Sequence, residues 1–387
     1  MPRRFTDATA LFADLLDRHE TGTENPIAYP DYVSFASVVA ADNFIKDLRR
    51  AEETGAVRIA TGSGRRRDQV THVRLVAPAA LYRFLARTPI ADIAVDAQAR
   101  LTDGLTLHPG LLDAVSGIVA AWSRAKSWSA FGPQDVDKLR DAVILAQAIL
   151  EQRHVGMDYR TFSRRIAGES KTLERVEGAV TRLLGSLLDL PPGAKPREAL
   201  RTLGLEKFAP PLLISGRVDL ANADLSRASP LYFGIAPNEA DRIRFREPPA
   251  YLLTIENFAS FSRHVIEADP HRVGTTLYVG GYPSLATQQA LRTLAPMLAN
   301  STPMFHWSDI DPDGTWIFRT VEKAVGRAVR PHLMSVDIAE RLGRAPASRL
   351  APTSCPPESG IHPVSEYLER EDAKTLEQEE LDPSMPV

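Results

Sequence analysis

Met304-Phe305-His306-Trp307-Ser308-Asp309-Ile310-Asp311-Pro312-Asp313-Gly314 is the stretch on which the fold turns. Residues 304–310 predict a strand and residues 316–329 a helix. The same alternation runs on either side. Residues 250–255 predict a buried strand, followed by a helix through Ile266. Residues 275–279 predict a second strand, ended by Gly280-Gly281, then a helix over 283–298, and residues 332–336 predict a fourth strand. Strands alternating with helices at this spacing imply a mainly parallel sheet joined by crossovers. Residues 211–387 therefore read as an α/β domain. It opens on a β-rich joint at 212–214 and 231–233 and closes with a Pro/Ser-containing linker at 345–362 and an acidic helix over 364–380.

Ligands of open parallel sheets bind beyond the carboxyl ends of the strands. Glu256 ends the first strand, the glycine pair the second, and Asp309-Ile310-Asp311 the third. Within a strand, residues at i and i+2 point to one face, so Asp309 and Asp311 should converge. Converging carboxylates repel unless a cation neutralises them, and a hard divalent ion with oxygen ligands does so. Glu256, Asp309 and Asp311 are accordingly the candidate catalytic and metal-binding residues, for Mg²⁺ or Mn²⁺. Such a centre stabilises the charge on a phosphodiester under attack. The glycines would let a backbone or phosphate approach closely. Other readings compete. A calcium-binding loop opens the same way, but its twelfth position, which needs a bidentate Glu, is Thr320 here. A phosphatase with an aspartyl nucleophile opens its domain on Asp-x-Asp, whereas here the motif comes on the third strand. Helix capping competes for Glu256-Asn257, and a turn and cap for Asp313-Gly314. His306 reads as a core or supporting residue, and His264 as facing solvent or phosphate.

The preceding sequence is helical and locally basic. Residues 5–19 predict a helix with Leu11, Phe12, Leu15 and Leu16 on one stripe. A compact unit follows over 31–85. It has a short helix at 32–39, a second helix capped by Asp42 and stopped by Gly55, and β-like runs at 56–59 and 71–76. Those runs flank Gly62-Ser63-Gly64-Arg65-Arg66-Arg67-Asp68, and a hairpin with a basic tip after two helices is the outline of a winged helix. Residues 1–110 thus form an N-terminal domain. Residues 111–210 form a second, helical one, with helices at 111–123 and 136–152 and a helix–turn–helix at 158–188, in which Gly168 makes the turn and Ser170 caps the longer helix. Arg160, Arg164, Arg165, Lys171 and Arg175 crowd this element. With Arg65, Arg66 and Arg67 they are the candidate phosphate contacts, the competing reading being solvated faces.

Composition narrows the function classes. At 387 residues, two or three domains are expected. The net charge of −3 hides an asymmetry: residues 358–387 hold nine acidic and two basic residues, and the rest of the chain carries a net +4. Phosphate binding needs a local patch, not a global excess. One cysteine, Cys355, excludes an internal disulfide and a cysteine zinc cluster. No apolar run approaches the roughly 18 residues of a membrane helix. Asp7, Asp14 and Asp17 make the N-terminal helix amphipathic and unlike a signal peptide, so a cytoplasmic protein without membrane contact is expected. Neither a phosphate-binding Gly-x-x-x-x-Gly-Lys-Ser loop nor a Ser-His-Asp arrangement is present.

Glu at the first strand end, glycines after the second and Asp-x-Asp at the third make up the Toprim pattern of topoisomerases, primases and several nucleases. Four strings carry a narrower resemblance: Leu253-Thr254-Ile255-Glu256-Asn257-Phe258, Tyr278-Val279-Gly280-Gly281-Tyr282-Pro283-Ser284, His306 through Gly314, and Arg165-Ile166-Ala167-Gly168-Glu169-Ser170-Lys171-Thr172-Leu173-Glu174. Together, over residues 155–382, the chain resembles the JetD family, the nuclease subunits of bacterial Wadjet anti-plasmid systems. The resemblance implies a winged-helix cap joined to Toprim, as in the A subunit of type IIB topoisomerases. It further implies a homodimer that cuts both strands of plasmid DNA, working with an SMC-type ATPase, a kleisin and a kleisin-associated subunit. Glu256 matches the Toprim glutamate, and Asp309 and Asp311 the Asp-x-Asp pair, with Asp313 implied as an outer-shell group of the metal. Ser308 stands where the family more usually has Gly, and Ala167-Gly168-Glu169 where it has Phe-Gly-Asp. Tyr159 lies in the cap-like region outside the topoisomerase tyrosine motif, which implies hydrolysis and not transesterification. The alternatives are a non-catalytic winged-helix DNA-binding or scaffold protein, or a Toprim enzyme with another nucleic-acid activity.

Overall fold

The computed structural model describes residues 3–64, 67, 69–221, 231–353 and 355–387. Arg65 and Arg66 lie outside these residues. The backbone divides into two compact units, Met1–Gln147 and Ala148–Val387, where the sequence reading drew boundaries after 110 and 210. No helix of the described residues is long and apolar enough to cross a membrane.

The first unit runs β1 (Arg4–Phe5), α1 (Ala8–Glu20), β2 (Ile27–Pro30), α2 (Val38–Glu53), β3 (Val57–Thr61), β4 (Val70–Leu75), α3 (Pro78–Phe84), α4 (Ile90–Thr102), α5 (Pro109–Trp122) and α6 (Val136–Leu150), the division falling near the end of α6. Its sheet has the order β1-β2-β4-β3. The apolar stripe of α1 is buried with Phe44 and Leu48 of α2 in one core. The helix expected at 32–39 is not formed, and Ser37, not Asp42, caps α2, its side chain accepting from the Ala40 amide. Aromatic packing holds the intervening segment instead: Phe35 lies 5.2 Å from Phe44 and 5.8 Å from Tyr32, ring to ring. Among the described residues the β3–β4 hairpin sits where the basic-tipped one was expected.

The second unit opens with α7 (Tyr159–Ala167), α8 (Thr172–Leu184) and α9 (Pro196–Thr202). Gly168, at φ +82°, ends α7 in a conformation that favours glycine. Lys171, not Ser170, occupies the α8 cap position. Ser163, fully buried, secures the turn by donating to the Glu169 carbonyl and accepting from the Leu173 amide. Next come β5 (Leu212–Ser215), β6 (Val218–Leu220), β7 (Phe233–Ile235), β8 (Ile243–Phe245), β9 (Leu252–Ile255), α10 (Phe258–Arg263), β10 (Thr275–Tyr278), α11 (Leu285–Leu294), β11 (Met304–Trp307), α12 (Pro312–Val325), β12 (Val329–Pro331), α13 (Val336–Leu342) and α14 (His362–Leu368).

Six of these strands form one sheet in the order β12-β11-β9-β10-β5-β7. β9 pairs in parallel with β10 and β11, and β11 with β12, while β5 and β7 add antiparallel partners. β9 is buried at every position, as a parallel strand covered on both faces must be.

Several expected boundaries move, each for a local reason. α12 starts four residues early because Asp311 caps it and Pro312 takes the first helical position, where its missing N–H costs nothing. The fourth strand lies at Val329–Pro331 and not at 332–336. Leu333 has φ +56°, which breaks an extended run, and Ser335 then caps α13. The acidic helix over 364–380 is not continuous. α14 ends at Leu368, Leu376 bridges to Ile310, and Gln378–Glu380 make a single 3₁₀ turn. Like charges crowded along one helix weaken it, and the tertiary partner wins.

Candidate metal centre

Register places the candidate site. Ile255 of β9 aligns with Tyr278 of β10 on one side and Trp307 of β11 on the other. The residues that follow therefore leave the sheet side by side. This edge is also a switch point: the chain lays β10 on one flank of β9 and β11 on the other. Glu256 comes directly after β9, its amide donating to the Trp307 carbonyl at 3.0 Å. Its Oε2 accepts from the Asp309 amide at 3.3 Å. The competing role of helix cap falls to Asn257, whose Oδ1 accepts from the Ala259 and Ser260 amides, so Glu256 is free of it.

Asp309 and Asp311 lie beyond the strand and not within it, because β11 ends at Trp307. The chain still stays extended there, since Ile310 forms an antiparallel bridge with Leu376. Ile310 is buried, and the two aspartates flanking it are half-buried. Asp311 doubles as the α12 cap, with Oδ1 2.6 Å from the Gly314 amide; that role was expected of Asp313-Gly314. Gly314 has no room for a side chain, because a Cβ would sit 2.0 Å from the Asp309 carbonyl oxygen.

Burial, reinforced by the Asp309 charge, pushes the Glu256 carboxyl up to about 8. Burial likewise raises Asp309 to about 7 and Asp311 to about 6. Besides burial, the main influences on the three are other carboxylates and backbone amides, with no guanidinium or ammonium among them. Such a set of hard oxygen donors fits a divalent cation.

Two acidic residues missed in the sequence join Asp309. One carboxylate oxygen from each of Asp309, Glu377 and Glu379 lies within 4.8 Å of the other two. Their i, i+2 spacing was the available signal; reading the segment as helix put them on different faces. Between them Gln378 is buried. Its amide donates to Asp309 Oδ1 at 2.6 Å, its Nε2 to the Trp307 carbonyl at 2.9 Å, and its Oε1 accepts from the Asn257 amide at 2.9 Å. The acidic C-terminal segment thus lies on the acidic centre.

Asp313 is engaged elsewhere. Its Oδ1 accepts from the Gly193 amide at 2.8 Å, and the Tyr282 hydroxyl hydrogen-bonds to it. Asp189 accepts from Trp316 Nε1, and Arg201 donates to the Gly280 and Tyr282 carbonyls. These bonds tie the helical segment to both loops of the centre. Gly280 and Gly281 have φ +73° and +62°, so two successive residues sit in the left-handed region that glycine tolerates.

His306 is a core residue, its Nδ1 2.8 Å from Thr254 Oγ1. His264, expected to face solvent or phosphate, is fully buried against Tyr251. Trp307 packs on His332 in the core, with ring centroids 5.8 Å apart. Ser308 donates to the Gly314 carbonyl.

Arg160, Arg164, Arg165 and Lys171 are all exposed, as is Arg67 of the first unit. On α8 the exposed Arg175, Gly178 and Arg182 continue from Lys171 along one helical face, although Arg175 also pairs with Glu169. Tyr159, by contrast, is completely buried, with its hydroxyl 2.7 Å from Glu177 Oε2. Burial and that carboxylate hold its phenol above the usual range.

Residues 220–384 match the protein family described as Wadjet protein JetD, C-terminal. The chain is also similar to the Wadjet protein JetD of Bacillus cereus strain Q1, being 23% identical over 202 residues, which are 51% of this chain and 48% of that relative. It spans about half the length of the curated relative it matches. The matched stretch, residues 220–384, contains Glu256, Asp309, Asp311 and Gln378.

Proposed function

We propose that the protein is a divalent-metal-dependent DNA endonuclease of a Wadjet-type plasmid-defence system, hydrolysing both strands of double-stranded plasmid DNA. The observation that carries this reading is the adjacency of Glu256 and Asp309 at the switch point of the sheet, both held above the usual carboxylate range by burial and by neighbouring carboxylates. Glu256, Asp309 and Asp311 would hold Mg²⁺ or Mn²⁺, with Glu377 and Glu379 adding oxygens on the Asp309 side. Bound there, the metal supplies Lewis-acid stabilisation of the charge that gathers on a phosphodiester under attack.

The chain's own groups do the rest. Glu256, the carboxylate that accepts from the Asp309 amide, would serve as the acid–base group, taking a proton from the attacking water and later releasing it. Burial of Tyr159 favours water over a tyrosine as nucleophile. Arg160, Arg164, Arg165 and Lys171, exposed on the helix–turn–helix, are suited to gripping phosphates. On this reading the domain is of the Toprim type with a winged-helix cap. It acts as a homodimer, one centre per strand, beside an SMC-type ATPase, a kleisin and a kleisin-associated subunit.

The test is linearisation of supercoiled plasmid by the protein together with that ATPase complex, in Mg²⁺ or Mn²⁺. Glu256→Ala and EDTA should each abolish cutting while DNA binding persists. Undiminished cutting by Glu256→Ala would overturn the assignment. Metal-independent DNA binding with no cutting under any condition would favour a scaffold role.

A further inference from the structure

The C-terminal segment reaches the acidic centre with one buried side chain, Gln378, between Glu377 and Glu379. Gln378 is only 1% exposed, and each of its polar groups has a partner. The partners come from two different strand ends. Asn257 follows β9 and Glu256, whereas Trp307 closes β11 and precedes Asp309. One amide side chain therefore accepts from the first strand's exit and donates to the second's, while its own backbone N–H holds the Asp309 carboxylate.

The segment is anchored on both sides of this contact. Leu376 and Ile310 exchange two backbone bonds at 2.9 and 3.2 Å, and Arg344 and Thr375 form a second antiparallel bridge. Beyond the contact, Arg263 donates to the Leu381 carbonyl at 3.2 Å, and the His332 ring meets the Ser384 carbonyl at 2.9 Å. A surface tail held only by its charges would not bury an amide so completely.

We infer that Gln378 is a positioning residue of the acidic centre: by cross-linking the exits of β9 and β11 and orienting Asp309, it sets the spacing of Glu256 and Asp309. The inference rests on the metal-centre reading above. The physical reason is that two like-charged carboxylates on separate strand ends drift apart unless something ties the ends together. The strand register ends at Ile255 and Trp307, and the Glu256 amide's bond to the Trp307 carbonyl at 3.0 Å is the last backbone tie between the two exits before Asp309. Outer hydrogen-bond partners of this kind orient metal ligands.

The experiment uses Gln378→Met, which keeps the bulk and removes both side-chain bonds. Mn²⁺ binding is measured by calorimetry on the full chain, alongside metal-free melting and amide exchange. Expected are about a 10–100-fold loss of Mn²⁺ affinity, faster exchange at the Asn257 amide and near-unchanged melting. With partners present, kcat for plasmid cutting should fall while KM holds. If Gln378→Met does not fold, Gln378→Asn, one methylene too short to span both strands, should show the same losses more weakly. Wild-type Mn²⁺ affinity in a folded Gln378→Met or Gln378→Asn protein would overturn the inference. Failure of the wild-type chain to bind Mn²⁺ at all would instead overturn the metal-centre reading, and the inference with it.

Discussion

The Asp309 amide donates to the Glu256 carboxylate across the exits of two neighbouring strands, 3.3 Å apart. That bond sets the Asp309 backbone against the Glu256 carboxylate. Burial first, and neighbouring carboxylates next, make both groups costly to ionise in the metal-free fold.

A pH dependence follows, with a definite sign. Glu256 is raised from its ordinary 4.5 to about 8, so between those values the folded chain holds a proton that the unfolded chain has lost. This contribution to stability is complete below pH 4.5 and disappears as pH rises through 8. Glu256→Gln should therefore melt higher than wild type at pH 8.5 in EDTA, by on the order of 1 kcal/mol, or about 2–4 °C. The gain should shrink toward pH 5. Equal melting temperatures at pH 8.5 would show that ionising the buried Glu256 carries no such cost.

Metal should reverse that penalty. Mn²⁺ is expected to raise the melting temperature of wild type, and Asp309→Ala to remove the rise, because Asp309 belongs to both the Glu256 pair and the Glu377/Glu379 group. Glu377→Gln with Glu379→Gln should reduce it in part. Ligands must shed protons to bind, so Mn²⁺ affinity should strengthen roughly tenfold or more between pH 6 and pH 8. Calorimetry at the two pH values checks this, and a flat profile would contradict it.

Acid should act in the opposite direction through the buried histidines. Burial lowers His306 to about 3, and His264 and His332 to about 4. Below pH 6.5 the unfolded chain takes up protons that these rings refuse, so stability present above 6.5 is lost as pH falls toward 4. Between pH 7 and pH 5 the urea midpoint of His306→Gln should shift toward greater stability relative to that of wild type. A His306→Gln protein as acid-sensitive as wild type would count against this source.

DNA affinity should depend on the exposed arginines independently of the metal. Arg160→Ala, Arg164→Ala and Lys171→Ala are each expected to weaken binding to unrelated duplexes alike. Each should also cut the slope of log K against log salt by about 0.9 per lost phosphate contact. A filter-binding series over salt measures it, and unchanged slopes would place the duplex elsewhere.

What the sequence by itself determined is the local grammar of the second unit. Strand–helix alternation placed β9, β10 and β11 within a few residues, and their exits named Glu256, Gly280-Gly281 and the Asp309–Asp313 run, because apolar periodicity and glycine punctuation are properties of short segments. Tertiary structure decided what each residue is joined to. It turned Asp311 into a helix cap, drew Asp313 to Gly193 and Tyr282, buried His264, and unwound the acidic tail so that Gln378 could reach Asp309, 69 residues away. Contacts at that separation leave no periodic trace in the chain, and the burial that makes them worthwhile exists only once the sheet edge has formed.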